Sequence, residues 1–527
     1  MKILLADAVA PECERLLEKA GLQVDNRPGL PLNEKLVAVS DAVGMVVRSA
    51  TTVDAAMMDA APNLKVIGRA GSGVDNIDVE AATARGILVM NAPGENTLSA
   101  AEHAVSLLLS LCRNIPDASA RMRSGEWSKK GLMGVELVDK TIGVIGLGRI
   151  GQAVARSVQG LGMRVIGYDP FLPAEVAESL GIELLELDEV WPQVDFVSLH
   201  TPLTERTHHL VNAEVLAAMK PGARLVNAAR GGLIDENAML VALDSGHLAG
   251  AALDVYEQEP LPSDSPLRTH PKMVLTPHLG ASTGEAQEKV AVRIAEQIGA
   301  FLKEGAVRNA VNSFSVDGPT ATKLEPWLRL ATSLGRLHAN FLDGSISGIE
   351  IECSGDLLEL PTTAVTSAVL HGFLEVLMSR NINLVNAVSV AHENGYRIAE
   401  VQGTDTVGFA GLLKVTIEAD GVKHVVAGSV IGHNKPKLVQ VDHFYLETQL
   451  KGWMLFSRNL DQPGRLAALA GELAGHGINV ANLALGRDAD LNKAFNAFQL
   501  DQEPSAELRD SLLALDGVEW VCAVDFK

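Results

Sequence analysis

The chain is short of the residues that would tie it to an oxidising compartment, a membrane or a polyanion. Its 527 residues include four cysteines, Cys13, Cys112, Cys353 and Cys522. They are scattered and form no C-x-x-C pair, which argues against a disulfide framework or a zinc site and for reduced thiols, so no metal is expected. Positive charge is scarce, with 44 Lys and Arg against 65 Asp and Glu and a formal net charge of −21. Nucleic acid and anionic membranes both reward clustered cations, so neither is expected as a partner. An anionic substrate would have to be held by local basic groups working against the overall field. Long apolar runs are missing as well. The most apolar helical stretch, "AVSLLLSLC" (104–112), is shorter than the ~20 residues that span a bilayer. The opening "MKILLADAVA" is interrupted by Asp7 and reads as a first strand, not a targeting segment. A cytoplasmic protein is expected. What is present is ordinary globular material, 47% hydrophobic and 21% charged. At about 150 residues per domain the length predicts three or four domains.

Residues 1–98 alternate short strand candidates ("KILLAD", "LQVDN", "AVGMVVRS", "LKVIGRAG", "GILVMNAP") with helical patterns, the signature of a parallel α/β sheet. A long apolar helix from Ser99, with Ser99 as N-cap and Glu102 completing a capping box, should join two lobes. Six further strand candidates follow between 140 and 280, the number expected of a doubly wound dinucleotide domain. The amphipathic stretch 284–305 then carries the chain back to the first lobe. After residue 315 the texture changes. Residues 451–527 read strand–helix–strand–strand–helix–strand, a ferredoxin-like βαββαβ order. The expected division is therefore 1–98 with 282–314, 99–281, 315–450 and 451–527.

Gly146-Leu147-Gly148-Arg149-Ile150-Gly151 fits G-x-G-x-x-G. Such a motif alone is weak, but here an apolar strand precedes it, a helix follows, and a second strand ends in Asp169 about 20 residues on. The glycines let the backbone approach a pyrophosphate at a helix N-terminus, and the Asp169 carboxylate accepts hydrogen bonds from ribose hydroxyls while repelling a 2′-phosphate. The expected cofactor is NAD rather than NADP.

Three stretches beyond Asp169 lie at candidate strand ends, "NAARGG" with Arg230, "DVYEQEP" with Asp254 and Glu259, and "TPHLGAST" with His278. In doubly wound folds those ends face the ligand crevice. Singly, each has a plain structural reading: a capping histidine, a solvated turn acid, an arginine in an ion pair. Together they make chemical sense. Removing hydride from a secondary alcohol needs a base for the hydroxyl proton (His278), a carboxylate to orient that base (Glu259), and a cation for the substrate carboxylate (Arg230). Gly231 and Gly232 are expected to turn the chain away so that no Cβ crowds the nicotinamide or the substrate.

These stretches resemble the signatures of the NAD-dependent D-isomer-specific 2-hydroxyacid dehydrogenases across residues 1 to about 314. The resemblance implies substrate-binding, orienting and acid/base roles for Arg230, Glu259 and His278. It implies that Ser72, Gly146, Gly148, Arg149, Ile150, Gly151, Asp169, Thr201, Ala228, Asp254 and Ala281 line the NAD site, between a Rossmann NAD-binding lobe and a discontinuous flavodoxin-like substrate lobe. Within the family, "VRSAT" (47–51), "GRAGSGVDNID" (68–78) and "GEWSKKGLMG" (125–134) resemble the branch acting on D-3-phosphoglycerate in serine synthesis. Arg48 and Arg69 at first-lobe strand ends would bind the phosphorylated substrate, with Lys129 (beside Lys130) reaching a neighbouring subunit's site. Lysine stands there where some relatives have arginine, which puts bidentate phosphate contact in doubt. Residues 315–450 resemble that branch's intervening α/β domain, and 458–487 resemble an amino-acid-sensing ACT domain. By that resemblance Asp461 and Asn479, with Asn482 as a weaker candidate, would hold L-serine between two such units. Lys435, Lys437 and His443 are a candidate anion site. A homo-oligomer, dimer or tetramer, is expected. Two alternatives stay open. One is a general D-2-hydroxyacid dehydrogenase, reducing hydroxypyruvate, glyoxylate or 2-oxoglutarate. The other is an NAD-sensing interaction protein like the C-terminal-binding corepressors, which share the fold and the triad.

Overall fold

The computed structural model describes every residue except Asp317, Asp343, His433 and Lys527. Near the N-terminus, strands β1 (Lys2–Leu5), β2 (Gln23–Asn26), β3 (Gly44–Val47), β4 (Val66–Arg69) and β5 (Leu88–Asn91) form one parallel sheet in the order β2-β1-β3-β4-β5. That is the flavodoxin-like order. β3 is buried throughout because helices cover both faces of the sheet. The helix Gly284–Glu304 returns to this lobe, its Ile294 and Ile298 side chains filling the space that Gly68 of β4 leaves open.

The helix Thr97–Arg113 leads out of this lobe. Its start corrects the capping expectation: Asn96 occupies the N-cap position without a side-chain capping bond to the helix, and Ser99, inside the first turn, pairs its Oγ with Thr283 Oγ1 at 2.7 Å. The hydroxyl ties the connecting helix to the segment that re-enters the first lobe and leaves the helix N–H groups uncapped.

The second sheet contains β6 (Thr141–Ile145), β7 (Arg164–Tyr168), β8 (Glu183–Leu184), β9 (Phe196–Leu199), β10 (Ala223–Asn227), β11 (Leu248–Leu253) and β12 (Met273–Leu275). All pairs are parallel and the order is β12-β11-β10-β9-β6-β7-β8. The chain switches direction between β6 and β9, the doubly wound arrangement whose crevice opens at that point. It has seven strands where six were expected. The extra one, β8, is two residues long and too short to show a hydrophobic period.

A third sheet, β14-β13-β15-β16-β17-β18, uses β13 (Ile346–Gly355), β14 (Arg397–Gly403), β15 (Gly411–Ala419), β16 (Val422–Ile431), β17 (Lys435–Val441) and β18 (Phe444–Thr448). Only β13–β14 is parallel among its pairs. The fourth sheet, β20-β21-β19-β22, comprises β19 (Gly452–Leu460), β20 (Val480–Asp488), β21 (Lys493–Leu500) and β22 (Val518–Phe526), with helices Arg465–Gly475 and Ala506–Leu513 inserted in βαββαβ order. This is the ferredoxin-like, ACT-type arrangement read from the sequence. No helix among the described residues is long and apolar enough to cross a membrane, and no cluster of metal-ligating side chains occurs among them.

Candidate active site

The loop between β6 and the helix Arg149–Gly160 shows a separate reason for each glycine of its motif. Gly146 takes φ +91°, and a Cβ there would press on the His200 carbonyl group. A Cβ on Gly151 would collide with the Gly146 carbonyl oxygen, so the helix packs against the loop only with glycine. A Cβ on Gly148 would meet nothing within 4 Å, which leaves open space at the helix N-terminus. Tight turn, close packing and open approach are the three features a dinucleotide pyrophosphate requires. Thr201 Oγ1, on the next loop, is buried without a hydrogen-bond partner, a hydroxyl left for a ligand. Asp169 accepts the Leu147 N–H at 2.8 Å through Oδ2 and the Phe171 N–H at 2.9 Å through Oδ1. These bonds fix its carboxylate beside the loop, and each oxygen keeps a lone pair. Ile150 and Arg149 begin the helix, and Arg149 Nη1 reaches across to donate to the Pro93 carbonyl of the other lobe at 3.1 Å. Ser72 donates to Asn96 Oδ1 at 2.7 Å. Ala228, directly after β10, and Ala281, on the loop beyond His278, are half-buried. The residues present therefore fit NAD.

At the end of β12, His278 adopts φ 55°, in the left-handed region. Its backbone N–H donates to the Asp254 carbonyl at 2.9 Å. Asp254 itself is fully buried and accepts Thr276 Oγ1 (2.6 Å), Leu279 N–H (2.7 Å) and Gly280 N–H (2.8 Å). One carboxylate thus shapes the turn that presents His278. The ring's Nδ1 lies 2.7 Å from Glu259 Oε2, and Glu259 Oε1 accepts the Tyr256 N–H at 3.1 Å. The Glu259 carboxylate holds the His278 pKa above its ordinary 6.5, opposed by burial and by the positive charge of Arg230.

Arg230 follows β10 and points into the crevice, with Nε 3.1 Å from Asp75 Oδ2 of the first lobe. The glycine behind it has a different reason from the one expected. A Cβ on Gly231 would collide with the Tyr256 carbonyl oxygen, so the clash is with the chain's own neighbouring turn and not with a ligand. Gly232 is looser, since a Cβ there would lie 3.2 Å from the Leu203 methyls.

The first lobe supplies two more guanidiniums. Arg69 ends β4 with its Nε buried and unpartnered, and burial, then the nearby Arg230 charge, bring its pKa down to about 10. Arg48 follows β3 and donates to the Ala8 carbonyl at 3.2 Å. Beside it lies an open cavity of about 550 Å³ lined in part by Asp7, Lys35, Arg48 and Ser49. Three arginines clustered in a chain of net charge −21 make a local cationic crevice.

Three residues in this region escaped the sequence reading. Asp7, only 4% exposed, accepts the Arg48 N–H, the Thr51 N–H and the Thr51 hydroxyl, and so shapes the loop that carries Arg48. Lys35 donates to that same Thr51 hydroxyl at 2.8 Å. His103, on the connecting helix, places Nε2 3.0 Å from Asp254 Oδ1. An acid ending a buried first strand was a visible signal for Asp7, and a titratable residue amid an apolar helix was one for His103.

The remaining candidates do not join this crevice. Lys129 is exposed on a segment that also exposes Trp127 (82%) and Met133 (91%). Asp461, after β19, pairs with Arg487 at 2.6 Å, while Asn479, before β20, donates to Asp501 Oδ2 at 2.6 Å. They sit at opposite ends of the same sheet, and Asn482 is exposed on β20 between them. Lys437 pairs with Glu447 at 2.9 Å, while Lys435 begins β17 and His443 lies beyond its far end, so these three form no single site.

A family model described as the D-isomer specific 2-hydroxyacid dehydrogenase NAD binding domain matches residues 105–280, and one described as the D-3-phosphoglycerate dehydrogenase intervening domain matches residues 323–442. The D-3-phosphoglycerate dehydrogenase of Methanocaldococcus jannaschii is 40% identical over 526 residues, covering 100% of both chains. The chain belongs to the D-3-phosphoglycerate dehydrogenase family. Its relative of that description from Rattus norvegicus is 39% identical over 497 residues, 93% of each chain. Among solved structures, the TT0316 protein from Thermus thermophilus shares 40% identity and a TM-score of 0.55, over 59% of this chain and 100% of that one. An NAD-dependent formate dehydrogenase from Staphylococcus aureus, solved in complex with NAD, shares 30% identity and a TM-score of 0.53, over 60% of this chain and 100% of that one. Family membership makes the chain an NAD-dependent oxidoreductase of the 2-hydroxyacid dehydrogenase type.

Proposed function

We propose that the chain oxidises D-3-phosphoglycerate to 3-phosphohydroxypyruvate with NAD, the first step of L-serine biosynthesis, as a cytoplasmic homo-oligomer. The observation that carries the reading is the His278–Glu259 pair at 2.7 Å, in a crevice shared with Arg230, Arg69 and Arg48. Arg230 grips the substrate carboxylate as a charge-assisted partner, a contact worth about 1.5–3 kcal/mol. Arg48 and Arg69 take the phosphate. His278 removes the hydroxyl proton, and Glu259 stabilises the imidazolium that results. A bound NAD would supply the acceptor for the hydride on the carbon that bears this hydroxyl. The Gly146–Gly151 loop and Asp169 hold the cofactor, with Ser72, Arg149, Ile150, Thr201, Ala228, Asp254 and Ala281 lining its site.

We assign 1–98 with 282–314 to the substrate lobe, 99–281 to the NAD lobe, 315–450 to an intervening regulatory unit and 451–527 to a serine-sensing unit. Since Asp461 and Asn479 lie at opposite ends of one terminal unit, a joint serine site takes one from each of two copies. The exposed Trp127, Lys129 and Met133 favour a neighbouring subunit at the catalytic half.

NADH formation from D-3-phosphoglycerate with hydrazine trapping the product tests the substrate. Saturable NADH formation is expected. Brisk turnover of hydroxypyruvate or glyoxylate without it would contradict the proposal and favour a general 2-hydroxyacid dehydrogenase.

A further inference from the structure

Arg230 and Glu259 stand on different turns, and a productive crevice needs those turns in register. We propose that Glu257, together with Glu236 and His209, is a positioning brace that sets Arg230 against the Glu259–His278 pair. The inference rests on the reading of those three residues as the reacting set.

Three segments meet here. Residues 209–211 run along 232–235: the His209 N–H donates to the Gly232 carbonyl at 2.8 Å, the Val211 N–H to Leu233 at 3.0 Å and the Asp235 N–H to Val211 at 3.0 Å. His209 takes a left-handed φ of 51°, uncommon for a residue with a Cβ. Its Nε2 lies 3.0 Å from Glu257 Oε1. Glu257 and Glu236 then interlock: the Glu257 N–H donates to Glu236 Oε1 at 2.8 Å, and the Glu236 N–H to Glu257 Oε1 at 3.2 Å. Glu236 opens the helix Glu236–Asp244, so the Glu257 carboxylate satisfies one of the N–H groups that a helix start leaves free.

Two facing carboxylates repel, and burial with the neighbouring Glu257 raises the Glu236 pKa. Such a pair is held because His209 and two backbone donors offset the repulsion. The arrangement has a direct geometric effect. Arg230 immediately precedes the turn that His209 zips, and Glu259 is two residues beyond Glu257. The Gly231 backbone lies so close to the Tyr256 carbonyl that the two turns touch without any side chain between them. Contact at Gly231 sets how near the turns come, and the Glu236–Glu257–His209 bonds stop one sliding past the other.

The test uses the full chain as wild type, Glu257→Ala, Glu257→Gln and His209→Ala, measuring kcat and KM for 3-phosphoglycerate and the Kd for NADH. A misplacement on the order of 1 Å costs about a hundredfold, so Glu257→Ala should lose about tenfold to a hundredfold in kcat while its NADH Kd stays within about twofold. Glu257→Gln keeps an acceptor oxygen for His209 and for the Glu236 N–H, and should recover most of the loss. His209→Ala removes a ring about a third exposed, a change a stable fold tolerates, and should lower kcat with the same sparing of NADH affinity. Wild-type kcat in Glu257→Ala and His209→Ala would overturn the brace, as would losses of kcat and NADH affinity equal in the Ala and Gln variants. A wild type inactive on 3-phosphoglycerate but active on glyoxylate would overturn the substrate reading alone, and the same variants assayed on glyoxylate would still decide the brace.

Discussion

The catalytic half and the terminal unit use candidate residues from scattered stretches in opposite ways. In the first, residues from 48 to 278 gather around one crevice within a single chain. In the second, Asp461 and Asn479, only 18 positions apart, end up at opposite ends of a sheet. The topology explains the difference. In a parallel sheet every carboxyl end lies on one edge, so residues that follow strands converge there. In the terminal unit a helix carries the chain back before β20 begins, so a residue following β19 and one preceding β20 point to opposite edges. Spacing in sequence therefore goes with convergence in the first case and with separation in the second.

Substitutions sharpen that contrast. His278→Ala should lower kcat by about a hundredfold to ten-thousandfold, the usual contribution of a general base, with NADH affinity retained. Steady-state kinetics with a cofactor titration checks this. Arg230→Ala should raise KM and reduce kcat/KM by roughly tenfold to more than a hundredfold, the range for losing a charge-assisted contact. Unchanged kinetics would remove Arg230 from the crevice. Glu259→Gln should move the pH dependence. Oxidation needs neutral His278, so the rate rises with pH through that group's pKa, which Glu259 holds above 6.5. Removing the carboxylate lowers the pKa and shifts the rising limb toward lower pH, a direction read from kcat/KM profiles. The smallest basal effect is expected in the tail. Asn479→Ala should leave uninhibited turnover unchanged and abolish the response to added L-serine. Sensitivity that survives would place the effector elsewhere, and a flat wild-type response would remove the effector altogether.

Much of the catalytic half was legible because strong local patterns coincided with global ones. Buried strands such as "TIGVI" are almost wholly apolar, and several are followed directly by glycine, acid or arginine where ligands bind: Gly146 after β6, Asp169 after β7, Asp254 after β11 and Arg48 after β3. The two-residue β8 was invisible because a period needs more residues than it has. Ser99 looked like a cap because Glu102 stood three residues on, yet its hydroxyl is taken by Thr283, 184 positions away. Gly231 was assigned to ligand clearance when it serves the approach of Tyr256, a tertiary contact that no window of sequence contains. The brace at Glu257 and the support that Asp7 gives Arg48 were hidden for the same reason. Each consists of side chains meeting backbone from another strand's end.

The claim that this crevice is built for a phosphorylated 2-hydroxy acid is tested most directly by comparing kcat/KM for D-3-phosphoglycerate and D-glycerate in the wild type and in Arg48→Ala. The wild type should prefer the phosphorylated acid strongly, and Arg48→Ala should erode that preference by about tenfold or more, the worth of one charge-assisted contact, while turnover of D-glycerate stays near wild type. Equal use of both substrates by the wild type, or a preference untouched by the substitution, would contradict it.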